Sequence, residues 1–214
     1  MYNVPKSAPK RNPRLRILLL FAHPGRKSFN HAIVDRLRSS LQGHELIEHD
    51  LYRDQFDPVL PATEILRRYS LEPQIQMHYH DVQRCQALIV VHPDWWGQPP
   101  AILKGWLDRV LRPGVAYELE GPEFGRKHTV PLLTGRRALV LVTSDSEASH
   151  VQPLFDMIWR DRVFAFCGLE TVAVEVFSDI RYASRRVRSG YLERVERLSR
   201  QLVESYGSDG GQTE

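Results

Sequence analysis

The chain has 214 residues, of which 42% are hydrophobic, and this is enough for one domain with a full core. The formal net charge is +3, and the excess lies largely in the first sixteen residues and the last predicted helix, so nothing favours a nucleic-acid partner. The longest early apolar run, residues 17–22, is too short for a secretory signal or a membrane span. We therefore expect a cytoplasmic protein without direct membrane insertion.

Both ends of the chain are predicted to be flexible. Residues 1–14 contain three prolines and many charges and form a basic arm, and residues 207–214 form a polar, glycine-rich tail. Residues 15–206 remain as one domain. Cys85 and Cys167 lie far apart without a CxxC spacing, which is typical of reduced core thiols in an intracellular protein.

Apolar runs and helical periodicity alternate along this domain. Predicted strands span residues 16–22, 44–51, 87–91, 137–143 and 171–177. Predicted helices span residues 29–41, 62–69, 73–84, 100–111, 152–166 and 183–205. This alternation predicts a doubly wound α/β fold, with a five-stranded parallel sheet and helices on both faces.

Glycines and prolines interrupt the alternation in segment 113–133, which contains Tyr117. We expect this segment to lie on the carboxyl-end side of the sheet. There it either forms one wall of a binding site or is an ordinary surface hairpin.

The most informative motif is the loop after predicted strand 87–91. It contains Pro93, Asp94, Trp95, Trp96 and Gly97, and it follows the carboxyl end of a strand, where open α/β sheets bind ligands. Adjacent indoles and a glycine provide a flat, poorly hydrated wall that suits a planar aromatic cofactor. The alternative is that the tryptophans only cap the core.

The loop after the first strand is a candidate phosphate site. Ser28 can cap the helix at 29–41 while the backbone N–H groups of Phe29, Asn30 and His31 point outward toward an anion. Arg26 and Lys27 add positive charge. His23 stands directly after the strand, where it either faces a ligand or hydrogen-bonds its own loop. The loop lacks the glycine spacing of a dinucleotide fingerprint and the Gly-Lys-Ser/Thr of a P-loop, which disfavours nucleoside triphosphate chemistry.

These motifs together resemble the flavodoxin-like NAD(P)H:quinone oxidoreductase family, which includes the ancillary oxidoreductases of bacterial potassium-efflux systems. The matching segments are residues 17–24, 28–30, 92–106, 114–117, 132–143 and 164–168. The resemblance implies a five-stranded flavodoxin-like fold, bound FMN or FAD, and two-electron reduction of a quinone or similar flat acceptor by NADH or NADPH. It also implies a homodimer in which a neighbouring subunit completes each site.

The resemblance further implies roles for individual residues. The positions that match the surroundings of the flavin phosphate and ribityl chain are His23, Ser28, Phe29 and Asn30. The positions that match the loop along the isoalloxazine are Pro93, Asp94, Trp95, Trp96 and Gly97. The positions that match the loop at the pyrimidine end of the ring are Thr143, Ser144 and Asp145. The substrate-stacking pocket would contain Trp95, Trp96 and Tyr117.

One loop departs from the family pattern. Many members carry Thr-Thr-Gly-Gly after the fourth strand of the sheet, where this chain has Thr143, Ser144, Asp145 and Ser146. An acid there would oppose the anion that develops on the flavin upon reduction, unless its carboxylate points away or only its N–H faces the ring. The tyrosine and histidine that assist hydride transfer in some members have no secure match. His150 is the candidate catalytic substitute, and a purely structural histidine is the alternative.

Other functions find less support. No Gly-x-Ser-x-Gly elbow of a hydrolase occurs, and His78, His80 and His92 lack a suitably spaced further ligand, so no metal is predicted. Two alternatives to a quinone reductase stay open. One is a flavin- or nucleotide-sensing regulatory subunit of a membrane partner such as a potassium-efflux channel, and the other is an azo- or nitroreductase.

Overall fold

The computed structural model describes residues 14–122 and 125–208, so most of the predicted arm and tail lie outside the described residues. The strands are β1 (Arg16–Phe21), β2 (Glu45–Asp50), β3 (Ala87–Pro93), β4 (Tyr117–Glu120), β5 (His128–Pro131), β6 (Arg137–Thr143) and β7 (Glu170–Phe177). The helices are α1 (Phe29–Ser40), α2 (Ala62–Arg67), α3 (Pro73–Arg84), α4 (Ala101–Val110), α5 (Ala148–Phe155), a π segment (Asp156–Phe164), α6 (Ala165–Cys167) and α7 (Arg185–Ser208). None of these described helices is long and apolar enough to span a membrane.

Five strands form one parallel sheet in the order β2-β1-β3-β6-β7. The predicted fold is confirmed, and each predicted strand overlaps an observed one. Every residue of β3 and β6 is buried because helices cover both faces of the sheet. This burial explains why their sequences lack polar alternation. β2 lies at an edge, where most of its residues are only half-buried.

Alternate residues of each strand enter two separate apolar cores. On one face, Leu18 and Val90 pack in a cluster with Trp106 of α4 and Trp159 of the π segment. On the other face, Leu19 packs in a cluster with residues of α1 and α7. Because successive side chains of a strand point to opposite faces, one apolar run supplies both cores.

The connection between β2 and α3 is fastened to α4 by a buried ion network. The guanidinium of Arg109 is fully buried and donates to both carboxylate oxygens of Glu64, at 2.6 and 3.3 Å, and to the Asp57 carbonyl at 2.8 Å. On the same helix, Gly105 lies so close to Pro58 that an added Cβ would stand 2.3 Å from it. These contacts attach the connection firmly to the core.

Segment 113–133 is a surface hairpin, since β4 and β5 pair with each other in antiparallel fashion. Its expected position on the carboxyl-end side of the sheet was wrong. The Gly114 carbonyl accepts a hydrogen bond from Gln83 near the end of α3, and the Leu133 N–H donates to Cys167 just before β7. A chain leaving α4 must return to the edge where β6 begins, so the hairpin and its Tyr117 lie at the amino-end edge of the sheet.

The helix before β7 differs from its prediction in start and in form. It begins at Ala148 rather than at residue 152, and Asp156–Phe164 is π-helical. Pro153 inside α5 has no N–H to donate, and the change of hydrogen-bond register follows it closely. At the other end of the chain, α7 continues to Ser208, so the first two residues of the predicted tail are helical.

Candidate active site

A cavity of about 500 Å³ opens at the carboxyl edge of the sheet, between the loops that follow β1, β3, β6 and β7. Its position agrees with the strand order, which reverses beside β1 and so creates a crevice at this edge. Most of the residues implied to bind the flavin line it. The lining residues are His23, Pro93, Asp94, Trp95, Trp96, Gly97, Thr143, Ser144, Asp145, Ser146, Ile180 and Arg181.

The tryptophan loop is a tight turn with an exposed aromatic side chain at its tip. The backbones of Trp95 and Gln98 exchange hydrogen bonds at 3.0 and 3.1 Å, and both Trp96 and Gly97 have positive φ, 60° and 70°. That conformation costs about 1–2 kcal/mol at a residue with a side chain. Trp96 is fully exposed, so it does not cap the core. Strain and exposure in a cavity wall are typical of a ligand-binding residue.

Asp94 fastens this turn to the loop after β6. One carboxylate oxygen accepts from the Gly97 N–H and the other from the Ser144 hydroxyl, both at 2.8 Å, while the Asp94 N–H donates to the Thr143 carbonyl at 2.7 Å. Both carboxylate oxygens are therefore engaged within the protein. Asp94 fixes the shape of the cavity and is not free to act as a base.

The amino end of α1 supplies hydrogen-bond donors on the other side of the site. Ser28 caps the helix as predicted, since its side chain accepts from the His31 N–H. Ser28 and His31 also share a side-chain hydrogen bond of 3.0 Å. The N–H groups of Phe29 and Asn30 open the helix and therefore have no intrahelical acceptor. Of the three N–H groups expected to be free, that of His31 is therefore taken by Ser28. Free N–H groups like those of Phe29 and Asn30 can bind an anion.

Asn30 contributes an acceptor as well. Its side chain is buried, and its Nδ2 donates to the Thr143 hydroxyl at 2.6 Å. Its Oδ1 is buried with no hydrogen-bond partner among the described residues. An unpaired buried oxygen costs about 1–3 kcal/mol, so this atom is suited to a ligand that brings a hydroxyl donor.

His23 hydrogen-bonds its own loop, which is the second of the two expected arrangements. Its Nδ1 accepts from the Gly25 N–H at 2.9 Å, and its ring nevertheless faces the cavity, 6.3 Å from the ring of Trp95. Burial, and then the neighbouring His31, lowers the pKa of His23. The ring is therefore neutral at pH 7.

A second cavity, of about 630 Å³, adjoins the first at His23 and extends toward β2. It contains three arginines, but two of them already have acidic partners. Arg38 donates to Glu48, and Arg53 to Asp54. This pairing makes the second cavity a weaker anion site than the amino end of α1.

Asp145 is held by a residue that was not predicted. Its Oδ1 accepts from the Arg181 N–H at 3.0 Å, and its Oδ2 lies 2.9 Å from Arg181 Nη2. The carboxylate is thus directed at a guanidinium. Arg181 begins the basic run of residues 181–188 just before the last helix, and no local signal in the sequence indicates that this run folds over the site.

Five of the predicted site residues do not line the cavity. Three of them, Ser28, Phe29 and Asn30, lie at the start of α1, where Asn30 hydrogen-bonds Thr143 of the lining. The other two are His150 and Tyr117.

His150 lies in the first turn of α5, where it is exposed and does not line the cavity. Tyr117 packs against Phe166, with ring centroids 4.8 Å apart, in a separate apolar cavity beside Leu107. His150 is displaced because its helix leads away from the strand end, and Tyr117 because its hairpin lies at the opposite edge of the sheet.

These groups fit a flavin. A flavin has a phosphate, a ribityl chain of hydroxyl donors and a planar ring. The site offers the amino end of α1 for the phosphate, the unpaired Asn30 oxygen for a hydroxyl, and the Trp96 turn for the ring. The cavity volume also lies within the range of small-molecule sites.

An open parallel sheet of this strand order, with a ligand cavity at its carboxyl edge, defines a flavodoxin-like protein. Comparison with known proteins agrees, because the family described as flavodoxin-like fold matches residues 15–202. The chain is 36% identical over 202 residues to YcaK of Escherichia coli, an uncharacterized NAD(P)H oxidoreductase, with coverage of 89% of this chain and 97% of that one.

Relatives with named reactions extend the comparison. NAD(P)H dehydrogenase (quinone) 1 of Rattus norvegicus is 25% identical over 211 residues, covering 85% of this chain and 76% of that one. The solved NAD(P)H:quinone oxidoreductase from Methanothermobacter marburgensis superposes with a TM-score of 0.76 at 26% identity, covering 89% and 98%. The chain therefore belongs to the flavodoxin-like NAD(P)H:quinone oxidoreductase family, as its motifs predicted, and it is an oxidoreductase.

Proposed function

We propose that the protein binds a flavin in the carboxyl-edge cavity and uses it to reduce a quinone or a similar flat acceptor with NADH or NADPH. The observation that carries this proposal is that three features lie at or beside one crevice, since Asn30 at the start of α1 hydrogen-bonds Thr143 of the lining. These features are the exposed, strained turn at Trp96, the open amino end of α1, and the unpaired oxygen of Asn30. Each of them is costly or unused in the protein alone and complementary to one part of a flavin.

In this proposal the residues of the chain bind the flavin and orient its ring. Ser28, Phe29 and Asn30 would hold the phosphate and ribityl chain, and the Trp95–Gly97 turn would run along the ring. A bound flavin supplies the two-electron chemistry, accepting a hydride from the nicotinamide and reducing the acceptor. Trp96 presents an exposed flat face on which the second planar ring can stack, and such orientation supplies much of the rate acceleration.

No side chain of the cavity is proposed as an acid or base. Both oxygens of Asp94 are engaged, Asp145 is paired with Arg181, and His23 uses its Nδ1 within its own loop. We assign protonation of the product to water. Because one cavity would serve the nicotinamide and the acceptor in turn, ping-pong kinetics are expected.

We further propose a homodimer in which Tyr117 of one copy reaches the cavity of the other. Tyr117 does not reach the cavity of its own chain, and large apolar side chains are exposed near α2, including Ile65, Leu66 and Leu71. The test is the mass in solution of the wild type and of Leu66→Asp. A monomeric wild type would contradict the dimer.

The first test of the flavin is a visible absorption spectrum after FMN and FAD are added separately and unbound cofactor is removed. We expect retained flavin whose absorption bleaches when NADH or NADPH is added without oxygen. Asn30→Ala should weaken flavin retention, whereas Ser39→Ala, an exposed position at the far end of the same helix, should not. A wild-type protein that retains neither flavin would overturn the proposal.

The acceptor is identified by steady-state turnover with a quinone, an azo dye and a nitroaromatic in parallel. Saturable quinone turnover supports the proposal, and turnover of the azo dye alone would make the protein an azoreductase. Flavin binding with no turnover of any acceptor would favour a regulatory subunit. Co-purification of a membrane partner would then identify what it regulates.

A further inference from the structure

The loop after β6 carries an ion pair between Asp145 and Arg181 at the cavity. We propose that Arg181 neutralises Asp145 at the cavity and thereby sets how strongly the site prefers reduced over oxidised flavin. This inference rests on the proposed function. It assigns an electrostatic role to one residue of the β7–α7 connection, residues 178–184.

The connection is built to hold Arg181 at the cavity. The Ile180 N–H donates to the Ser144 carbonyl at 3.0 Å, and the Ile180 carbonyl accepts from Arg188 at 2.9 Å. Asp179 adopts a positive φ of 51° to make this bend, which is costly for a residue with a side chain. Arg181 follows directly, lines the cavity and contacts both carboxylate oxygens of Asp145.

Arg181 is the only cationic side chain among the described residues that line this cavity at pH 7. The lining also contains two carboxylates, those of Asp94 and Asp145. Asp94 is held by an N–H and a hydroxyl, which leave its charge in place. The formal charge of the lining is therefore −1 with Arg181 and −2 without it.

Negative charge in the lining disfavours the reduced flavin, because reduction adds negative charge to the ring. Loss of Arg181 should therefore weaken binding of the reduced form more than binding of the oxidised form. The guanidinium side chain is 70% exposed, so solvent and salt screen its effect. We expect a change of about tenfold in the ratio of the two dissociation constants, which is about 30 mV in the midpoint potential of a two-electron couple.

The experiment measures the midpoint potential of the bound flavin and its oxidised-state dissociation constant in Arg181→Gln, Asp145→Asn, the double variant and Arg181→Lys. Arg181→Gln should lower the potential and Asp145→Asn should raise it. The double variant and Arg181→Lys should both lie near the wild type. Arg185→Gln is the matched control, since Arg185 is exposed in the same basic run but does not line the cavity.

Opposite shifts of the midpoint potential in Arg181→Gln and Asp145→Asn indicate an electrostatic effect. If Arg181 only holds the loop in place, both variants should weaken oxidised-flavin binding in parallel, and lysine should not restore it. That result, or an unchanged potential in Arg181→Gln, would overturn this inference and leave the flavin assignment intact. A wild type that binds no flavin would overturn both.

Discussion

Replacing Arg109 by methionine should lower the free energy of unfolding far more than replacing an exposed arginine that is also paired with acidic residues. Arg109 is fully buried, and methionine would leave the carboxylate of Glu64, which is also buried, with the Ser70 hydroxyl as its remaining side-chain donor. Removing one partner from a buried ion pair costs about 3–5 kcal/mol, because the other charge stays buried and uncompensated.

Arg38 provides the matched control. It donates to both carboxylate oxygens of Glu48 and to Asp35, but 43% of its side chain is exposed. Exposed pairs contribute about 0–1 kcal/mol each, so Arg38→Met should cost less than about 2 kcal/mol. The double variant of Arg109→Met with Glu64→Leu removes both buried charges. It should therefore be more stable than Arg109→Met alone.

The assay is the free energy of unfolding in urea, measured at neutral and acidic pH. Burial opposes ionisation of Glu64, but hydrogen bonds from Arg109 and Ser70 outweigh it, so the pKa of the carboxyl is lowered. Its contribution is therefore present above the unfolded-state pKa and lost as the pH falls through the folded-state value. In Arg109→Met the carboxyl protonates more readily, so the penalty should shrink in acid. If Arg109→Met lowers the free energy of unfolding no more than Arg38→Met does, the burial of the ion pair does not contribute as described.

Three further predictions concern stability. Gly105→Ala should lower the free energy of unfolding by about 1–3 kcal/mol, because the added Cβ would clash with Pro58. Gly190→Ala on α7 meets open space and should raise it by about 0.5–1 kcal/mol. Thermal melts compare the two variants. Burial lowers the pKa of His92 to about 4, so His92 should make unfolding easier by up to about 1.4 kcal/mol per pH unit as pH falls from about 6.5 toward that value. His92→Phe should remove this part of the slope from urea titrations and leave the part due to His78, whose pKa burial lowers to about 3; an unchanged slope would contradict the prediction. Trp96→Ala should weaken flavin binding but leave the free energy of unfolding within about 0.5 kcal/mol of wild type, because Trp96 is exposed. Trp159→Ala should lower the free energy of unfolding by about 3–5 kcal/mol, because Trp159 is buried. Equal losses of stability in urea would refute this contrast.

The sheet and most helices could be predicted because their signals are local. β3 and β6 are buried on both faces, and unbroken apolar runs record that burial directly. α3 begins at Pro73 and ends at Arg84 as predicted, since proline fixes the first turn and the apolar positions recur at helical spacing. The tryptophan loop and the cap at Ser28 were found for the same reason.

The misplaced features depend on contacts between residues far apart in sequence. Tyr117 was placed at the wrong edge because a glycine-rich excursion does not reveal the edge of the sheet to which it returns. The hydrogen bond between Arg181 and Asp145 spans 36 positions, and that between Arg109 and Glu64 spans 45. Such pairs follow from the topology, and periodicity does not encode them. The π segment likewise has no signature in side-chain spacing.

The buried polar groups around Arg109 and those at the carboxyl edge of the sheet differ in their hydrogen bonding. Around Arg109 the buried groups find their partners inside the chain, so that network contributes to the fold. At the carboxyl edge, the Asn30 oxygen is unpaired and the backbone of Trp96 is strained, at about 1–3 and 1–2 kcal/mol respectively. A ligand that donates a hydrogen bond to this oxygen recovers part of its cost as affinity. The buried network around Arg109 stabilises the fold without a ligand. Because a ligand would bind only the folded state, its binding should raise the free energy of unfolding of the whole domain.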